Sequence, residues 1–263
     1  MALFDFFKTS RREALRAQPF PAPWLAILER DVPSYQRLNE ADRAELQGHI
    51  QVFVAEKNFE GCGGLEMTDE IKLVIAAQAC LLLLHRETDY YPRLDSILVY
   101  PGAYVARSTE VLGGNLVLEG EQTRLGEAWQ GGAVVLSWDD VQTGAADFRD
   151  GHNVVLHEFA HQLDHEDSAP DGAPVLPKRA MYTAWARVLG AEYEQLRLDA
   201  ESHRKTVLDK PGATKPAEFF AVATECFFEK PAQLRSKHPE LYEELKEYYQ
   251  QDPENSFGKA GSP

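Results

Sequence analysis

The chain has 263 residues, 44% of them hydrophobic, enough for a substantial core in one large domain or two small ones. Its 42 Asp and Glu against 27 Lys and Arg leave a net charge of −15, which argues against direct binding to a phosphate backbone. The three cysteines, Cys62, Cys80 and Cys226, form no C-x-x-C pair; they suit a reducing compartment and small core positions.

The first residues carry Phe4, Phe6 and Phe7 but are interrupted by Asp5 and followed at once by charge, unlike a signal peptide. This Phe-rich run is a candidate docking element, although burial against the body is the stronger expectation. Residues 11–56 read as helices, with apolar residues at helical spacing from Ala41 onward. Residues 59–64, Phe-Glu-Gly-Cys-Gly-Gly, read as a break. Thr68 then resembles an N-cap, with Asp69 and Glu70 in the first turn of a helix reaching about Leu84. That helix is apolar all round, so it is expected to be buried, and Gln78 within it needs a hydrogen-bond partner. The run is too short to span a membrane, and the expected location is the cytoplasm.

From 96 to 138 the texture changes to short β-type runs at 97–100, 115–119 and 133–138, punctuated by glycine pairs at 113–114 and 131–132. A small sheet is expected here. Its edge either takes a peptide as an added strand or simply supports the helix that follows.

That helix holds the most informative stretch, His157-Glu158-Phe159-Ala160-His161, set among Val154, Val155, Leu156 and Leu163. Residues four apart on a helix lie on one face, so both imidazoles can reach a Zn²⁺ ion at about 2.0–2.1 Å. Glu158 is rotated away from the pair and reaches a water at the metal instead, as a general base. Titratable groups in so apolar a segment would be costly to bury alone, and a metal removes the cost. His165 falls about 80° round from His157 and near the helix end, a bystander by position. Asp164 is a candidate to orient a ligating imidazole from behind, and His152 is expected at the surface.

A polar, proline-rich loop follows at 166–177, then a helix from about 178 to 198 with Trp185, Val188, Leu189 and Tyr193 as its core stripe. Residues 199–216 read as a mobile connection. The next helix, 217–228, is apolar apart from Glu218 and Glu225, seven residues apart and nearly on one face. On spacing alone either could be the third ligand, and only one is needed, because a catalytic zinc keeps a position open. The last helix runs from 239 to 251, with an unstructured tail expected over 252–263.

The segments 155–164, Val-Leu-His-Glu-Phe-Ala-His-Gln-Leu-Asp, and 212–222, Gly-Ala-Thr-Lys-Pro-Ala-Glu-Phe-Phe-Ala-Val, together resemble the bacterial Mlc titration factor A family of zinc metallopeptidases. The Ala-Glu-Phe-Phe-Ala part is also similar to the catalytic domain of anthrax lethal factor. The likeness extends from about residue 20 to about 250. It implies an α+β, mainly helical, zincin-like metallopeptidase fold with a small sheet preceding the active-site helix, as a single domain over 1–251. It further implies a gluzincin-like aminopeptidase with one Zn²⁺ per chain, and binding to the transcription repressor Mlc, which governs sugar uptake. By position, His157, His161 and Glu218 become the zinc ligands, Glu158 the base, and Glu225 the carboxylate behind a ligand. Family members carry a tyrosine where this chain has Pro211, so the resemblance implies either weaker activity here or a supporting role passed to another donor such as Tyr182.

The expectation is therefore a cytoplasmic zinc peptidase acting on peptides. Its rival is a non-catalytic regulatory protein that sequesters a repressor and keeps zinc for structure. The intact Glu158 counts against the rival, since a structural zinc needs no base. A zinc hydrolase acting on something other than peptides is a third, weaker reading.

Overall fold

The computed structural model describes residues 2–102, 104–112, 116–124, 126–129, 132–167 and 169–257. Four helices open the chain: α1 (Ala2–Arg16), α2 (Ala22–Asp31), α3 (Pro33–Arg37) and α4 (Glu40–Glu56). Asn39 caps α4 by accepting the Asp42 N–H at 2.9 Å. α1 starts well before residue 11 and lies on α4, tied by Arg12 to Glu56 at 2.7 Å and to Asp89 at 2.6 Å. Phe7 is 63% exposed, against the expectation of burial, while the side chains of Phe4 and Phe6 lie outside the described residues.

The stretch read as a break begins instead as a strand, β1 (Asn58–Gly61), and only Gly63 and Gly64, both at positive φ, make the turn. Sequence alone hid this strand because it is short and ends in glycine; its hydrogen bonds come from pairing with β2 (Ser96–Tyr100), remote in the chain. Between them runs α5 (Asp69–Leu81), capped by Thr68 as expected. α5 is buried around its circumference from Leu73 to Leu81. Gln78 finds its partners there: it donates to Val74 O at 3.0 Å and accepts from Asn153 Nδ2 at 2.8 Å.

β3 (Tyr104–Leu112) and β4 (Leu116–Arg124) form a separate antiparallel hairpin, and the glycine pair at 113–114 lies outside the described residues. β5 (Gly126–Trp129) and β6 (Ala133–Ser137) return to the main sheet, whose order is β1-β2-β6-β5. The first three strands are parallel, and β5 is an antiparallel edge strand that packs beside the helix carrying His157 and His161. β6 is buried on both faces at Val134, Val135 and Leu136, as a parallel central strand requires.

The sheet feeds α6 (Trp138–Ala146) and then α7 (Val154–Asp164), the helix of the H-E-x-x-H motif. α8 (Met181–Glu201) follows, with Trp185, Val188 and Leu189 buried. The connection expected to be mobile is packed: Leu208 is buried, and a 3-10 turn at Lys210–Ala213 lies against α8 and α9 (Pro216–Glu229). α10 (Pro231–Lys237) and α11 (Pro239–Tyr249) complete the body, each opened by a proline that fits the first helical turn. The expected unstructured tail begins as a helix, α12 (Pro253–Phe257), fastened by Glu254 to Arg235 at 2.6 Å; residues 258–263 lie outside the described residues.

One continuous core runs from Leu28 to Tyr249. An aromatic cluster joins α9 to α11, where Phe220, Phe227 and Phe228 meet Tyr242, Tyr248 and Tyr249 at ring spacings of 5.1–6.5 Å. Both Cys80 and Cys226 are buried as small core residues, and Cys62 is partly buried.

Candidate metal centre

α7 starts where Asn153 caps it, its Oδ1 accepting the Leu156 N–H at 3.0 Å. One turn on, His157 and His161 share a face, their rings 4.9 Å apart. α9 packs alongside and brings Glu218 across to them. The Glu218 Oε2 lies 3.3 Å from His157 Nε2, and its Oε1 lies 3.5 Å from His161 Nε2. One donor atom from each of the three falls within 4.8 Å of the others. Two imidazole nitrogens and one carboxylate oxygen are the donor types of a catalytic transition-metal site, so these residues fit a metal ion.

The surroundings prepare this trio for a cation. His157 Nδ1 is held by Glu225 Oε1 at 2.7 Å, which fixes the ring and leaves Nε2 as the nitrogen that faces Glu218. Burial by itself would lower the His157 pKa, but hydrogen bonds to Glu218 and Glu225 outweigh it and raise it well above the usual imidazole value. Hydrogen bonds from the His157 and His161 imidazoles in turn hold the Glu218 carboxyl far below the ordinary carboxylate range.

Glu158 is 5% exposed and lines, with His157, a cleft of about 370 Å³. Asp140, Asp150 and Asp209 come into its wall from three separate parts of the chain, and Val154, Pro211 and Val222 supply apolar surface. The other named residues fall in different places. His152 is exposed, as expected, yet it lines the same cleft as His157 and Glu158, with its ring 3.3 Å from Asp209. His165 forms the C-cap of α7 and is not part of the donor trio. Asp164 is fully buried, yet both its oxygens accept the Gly172 N–H, at 2.9 and 3.0 Å, instead of holding an imidazole. Burial pushes its carboxyl up to about 6. Tyr182 accepts the Leu176 N–H at 3.0 Å and is not among the residues lining the cleft, where Pro211 stands.

Two residues of the site escaped the sequence reading. Asn153 sits just before the apolar run of α7, where an asparagine is an N-cap signal in its own right. Glu229 lies one residue past the expected end of the 217–228 helix. With it, α9 carries carboxylates at 218, 225 and 229, a spacing that keeps all three near one face. Glu229 is 4% exposed, accepts from Gly151 N and Asn153 Nδ2, and is pushed up to about 8 by burial.

An H-E-x-x-H helix crossed by a glutamate-bearing helix, in an α+β fold with a short edge strand beside it, defines a metallopeptidase-like protein. Comparison with known sequences makes the assignment specific. The chain belongs to the glucose-regulated metallo-peptidase M90 family, whose model matches residues 6–250. It is 44% identical over 244 residues to an uncharacterized protein of Synechocystis sp., covering 92% of this chain and 89% of that one. It is 31% identical to the Mlc titration factor A of Serratia proteamaculans, over 84% of this chain and 85% of the relative. Against the Mlc titration factor A of Escherichia coli O1:K1 the identity is 28%, over 88% and 86%.

Proposed function

We propose that this protein is a zinc-dependent, aminopeptidase-like peptidase in which His157, His161 and Glu218 hold the metal and Glu158 is the general base. The observation that carries the reading is the convergence of three donor atoms within 4.8 Å beside a cleft that Glu158 also lines. A zinc ion held by these three residues would supply Lewis acidity toward the scissile carbonyl and the attacking water. Glu158 takes the proton from that water and delivers it to the leaving amine. Glu225 keeps the His157 ring in the orientation that presents Nε2. Among the described residues β5 is an edge strand with one side unpaired, which supports docking of an extended peptide along α7. The carboxylates of Asp140, Asp150 and Asp209 suit a protonated amino terminus at the end of such a peptide.

A second role is supported by the name that several relatives share, Mlc titration factor A: binding of a transcription repressor of the Mlc type. It is compatible with catalysis on the same chain, and it becomes the whole function if the zinc is structural. We propose a cytoplasmic location, as the sparse, unpaired cysteines suggest; separately, among the described residues no helix is long and apolar enough to cross a membrane.

The deciding experiment is hydrolysis of aminoacyl and internally quenched peptides by zinc-loaded protein beside Glu158→Gln. The variant is expected to retain metal and lose turnover by about 10²-fold or more. Equal activity in the two proteins would refute the base. If neither cleaves while zinc stays bound, the reading shifts to repressor binding, which calorimetry with a purified Mlc-type repressor measures directly.

A further inference from the structure

The three candidate ligands sit on two helices, so the geometry of the centre depends on how firmly α7 is registered against α9. Asn153 is 1% exposed, and its backbone and side-chain polar groups are all engaged. Its C=O accepts the His157 N–H at 2.9 Å and its Oδ1 accepts the Leu156 N–H at 3.0 Å, which fastens it to the first turn of α7. In the other direction its N–H donates to Glu225 Oε2 at 2.6 Å, and its Nδ2 donates to Glu229 Oε1 at 3.0 Å and to Gln78 Oε1 at 2.8 Å. The second Glu229 oxygen accepts the Gly151 N–H at 2.8 Å. Glu229 thus grips the loop entering α7 at two points, while standing on the face of α9 that carries Glu218.

Resting on the metal-centre reading, we propose that Asn153 and Glu229 are positioning residues that lock α7 to α9 and so hold His157 and His161 at coordinating distance from Glu218. Buried polar groups need partners in any fold, and a role confined to that would be satisfied by partners anywhere. Asn153 Nδ2 also reaches Gln78 on α5 and the Gly144 carbonyl on α6, but the contacts to Glu225 and Glu229 join the two ligand-bearing helices themselves. The path from His157 to Glu218 runs through the backbone of α7, Asn153, two short carboxylate contacts and the backbone of α9. The approach of α6 leaves no slack, since a Cβ added at Gly144 would lie 3.2 Å from Asn153 Cα. Neither Asn153 nor Glu229 belongs to the donor trio.

The test uses the full chain and two substitutions. Asn153→Ser keeps an N-cap oxygen for α7 but cannot also donate to Gln78 and Glu229. Glu229→Gln keeps the volume but turns an NH₂ toward one of two N–H donors. Tyr242→Phe is the control: it removes a hydroxyl bonded to Asp252 at 2.7 Å, outside the centre. Each protein is measured for thermal unfolding, for Zn²⁺ and Co²⁺ affinity by chelator competition, and for the visible spectrum of its Co²⁺ form, which reports coordination geometry. The expected result is folded Asn153→Ser and Glu229→Gln with metal affinity about 10-fold weaker or more and altered Co²⁺ bands. Tyr242→Phe should be less stable with an unchanged centre. Folded variants with wild-type affinity and spectrum overturn the positioning role, as does a matching loss in the control. Should Asn153→Ser fail to fold, Glu229→Gln decides alone. A wild-type chain that takes up no metal refutes the metal-centre reading itself, an outcome distinct from a loaded wild type that its variants match.

Discussion

Glu225→Gln isolates what the carboxylate behind His157 contributes. In the native protein one Glu225 oxygen faces His157 Nδ1 at 2.7 Å and the other accepts the Asn153 N–H at 2.6 Å. A glutamine can serve only one of these in the same way. If its oxygen stays on the Asn153 N–H, its NH₂ donates to His157 Nδ1, and the ring must carry its own proton on Nε2, the atom facing Glu218. If the amide turns over, its NH₂ meets the Asn153 N–H and that buried donor is orphaned. The first arrangement costs metal affinity, on the order of 10–100-fold or about 1.4–2.7 kcal/mol. The second costs stability, about 1–3 kcal/mol for an unsatisfied buried donor. Chelator competition and denaturant unfolding measure the two together, and one of them must move. A variant with wild-type metal affinity and wild-type stability would refute the reasoning.

Three further outcomes follow from the same geometry. Burial raises the Asp164 carboxyl from 3.8 to about 6, so the native state binds more protons than the unfolded state between those values. Stability should therefore fall as pH rises from about 4 to about 6, by up to ~3 kcal/mol, and Asp164→Asn should flatten that slope in pH-dependent denaturation; an unchanged slope disproves the assignment. Gly172→Ala places a Cβ 2.5 Å from Pro216 O at a φ of +81°, and it should cost about 2 kcal/mol or more in denaturant unfolding. His165→Ala should leave zinc stoichiometry and affinity unchanged in the same chelator titration, because the C-cap position lies outside the donor trio.

The parts of the site legible in the sequence were those set by helical periodicity. His157, Glu158 and His161 fall on one turn, and Glu218 and Glu225 share a face of the next apolar helix. Both patterns survive folding because a helix carries its geometry with it. The sheet was harder. β1 is four residues long and draws its hydrogen bonds from β2, 38 positions away at Asn58↔Ser96, so nothing local marks it as a strand. Asp164 misled for a related reason: helical position puts it near His161, but the partner that claims it, Gly172, is placed by the loop that follows. Glu229 was hidden by a helix end read one residue short, the least certain feature of a periodic pattern.

The carboxylate face of α9 also ties the aromatic core to the chemistry. Glu218, Glu225 and Glu229 can face α7 together only at one rotation of the helix. A turn of one residue, about 100°, would remove a candidate ligand, the partner of His157 and the grip on Gly151 at once. That rotation is set from the other sides of α9. Phe220 packs against Trp185 and Tyr248 at 5.8 Å each, Phe227 against Tyr242 at 5.2 Å, and Thr224 Oγ1 lies 2.8 Å from Tyr249 OH. Interlocked rings of this size leave α9 few alternative rotations, because each would open a cavity or force an overlap. The packed rings of α11, none of them in the donor trio, thereby help aim Glu218, as a site that must hold its geometry to about half an ångström requires of its support.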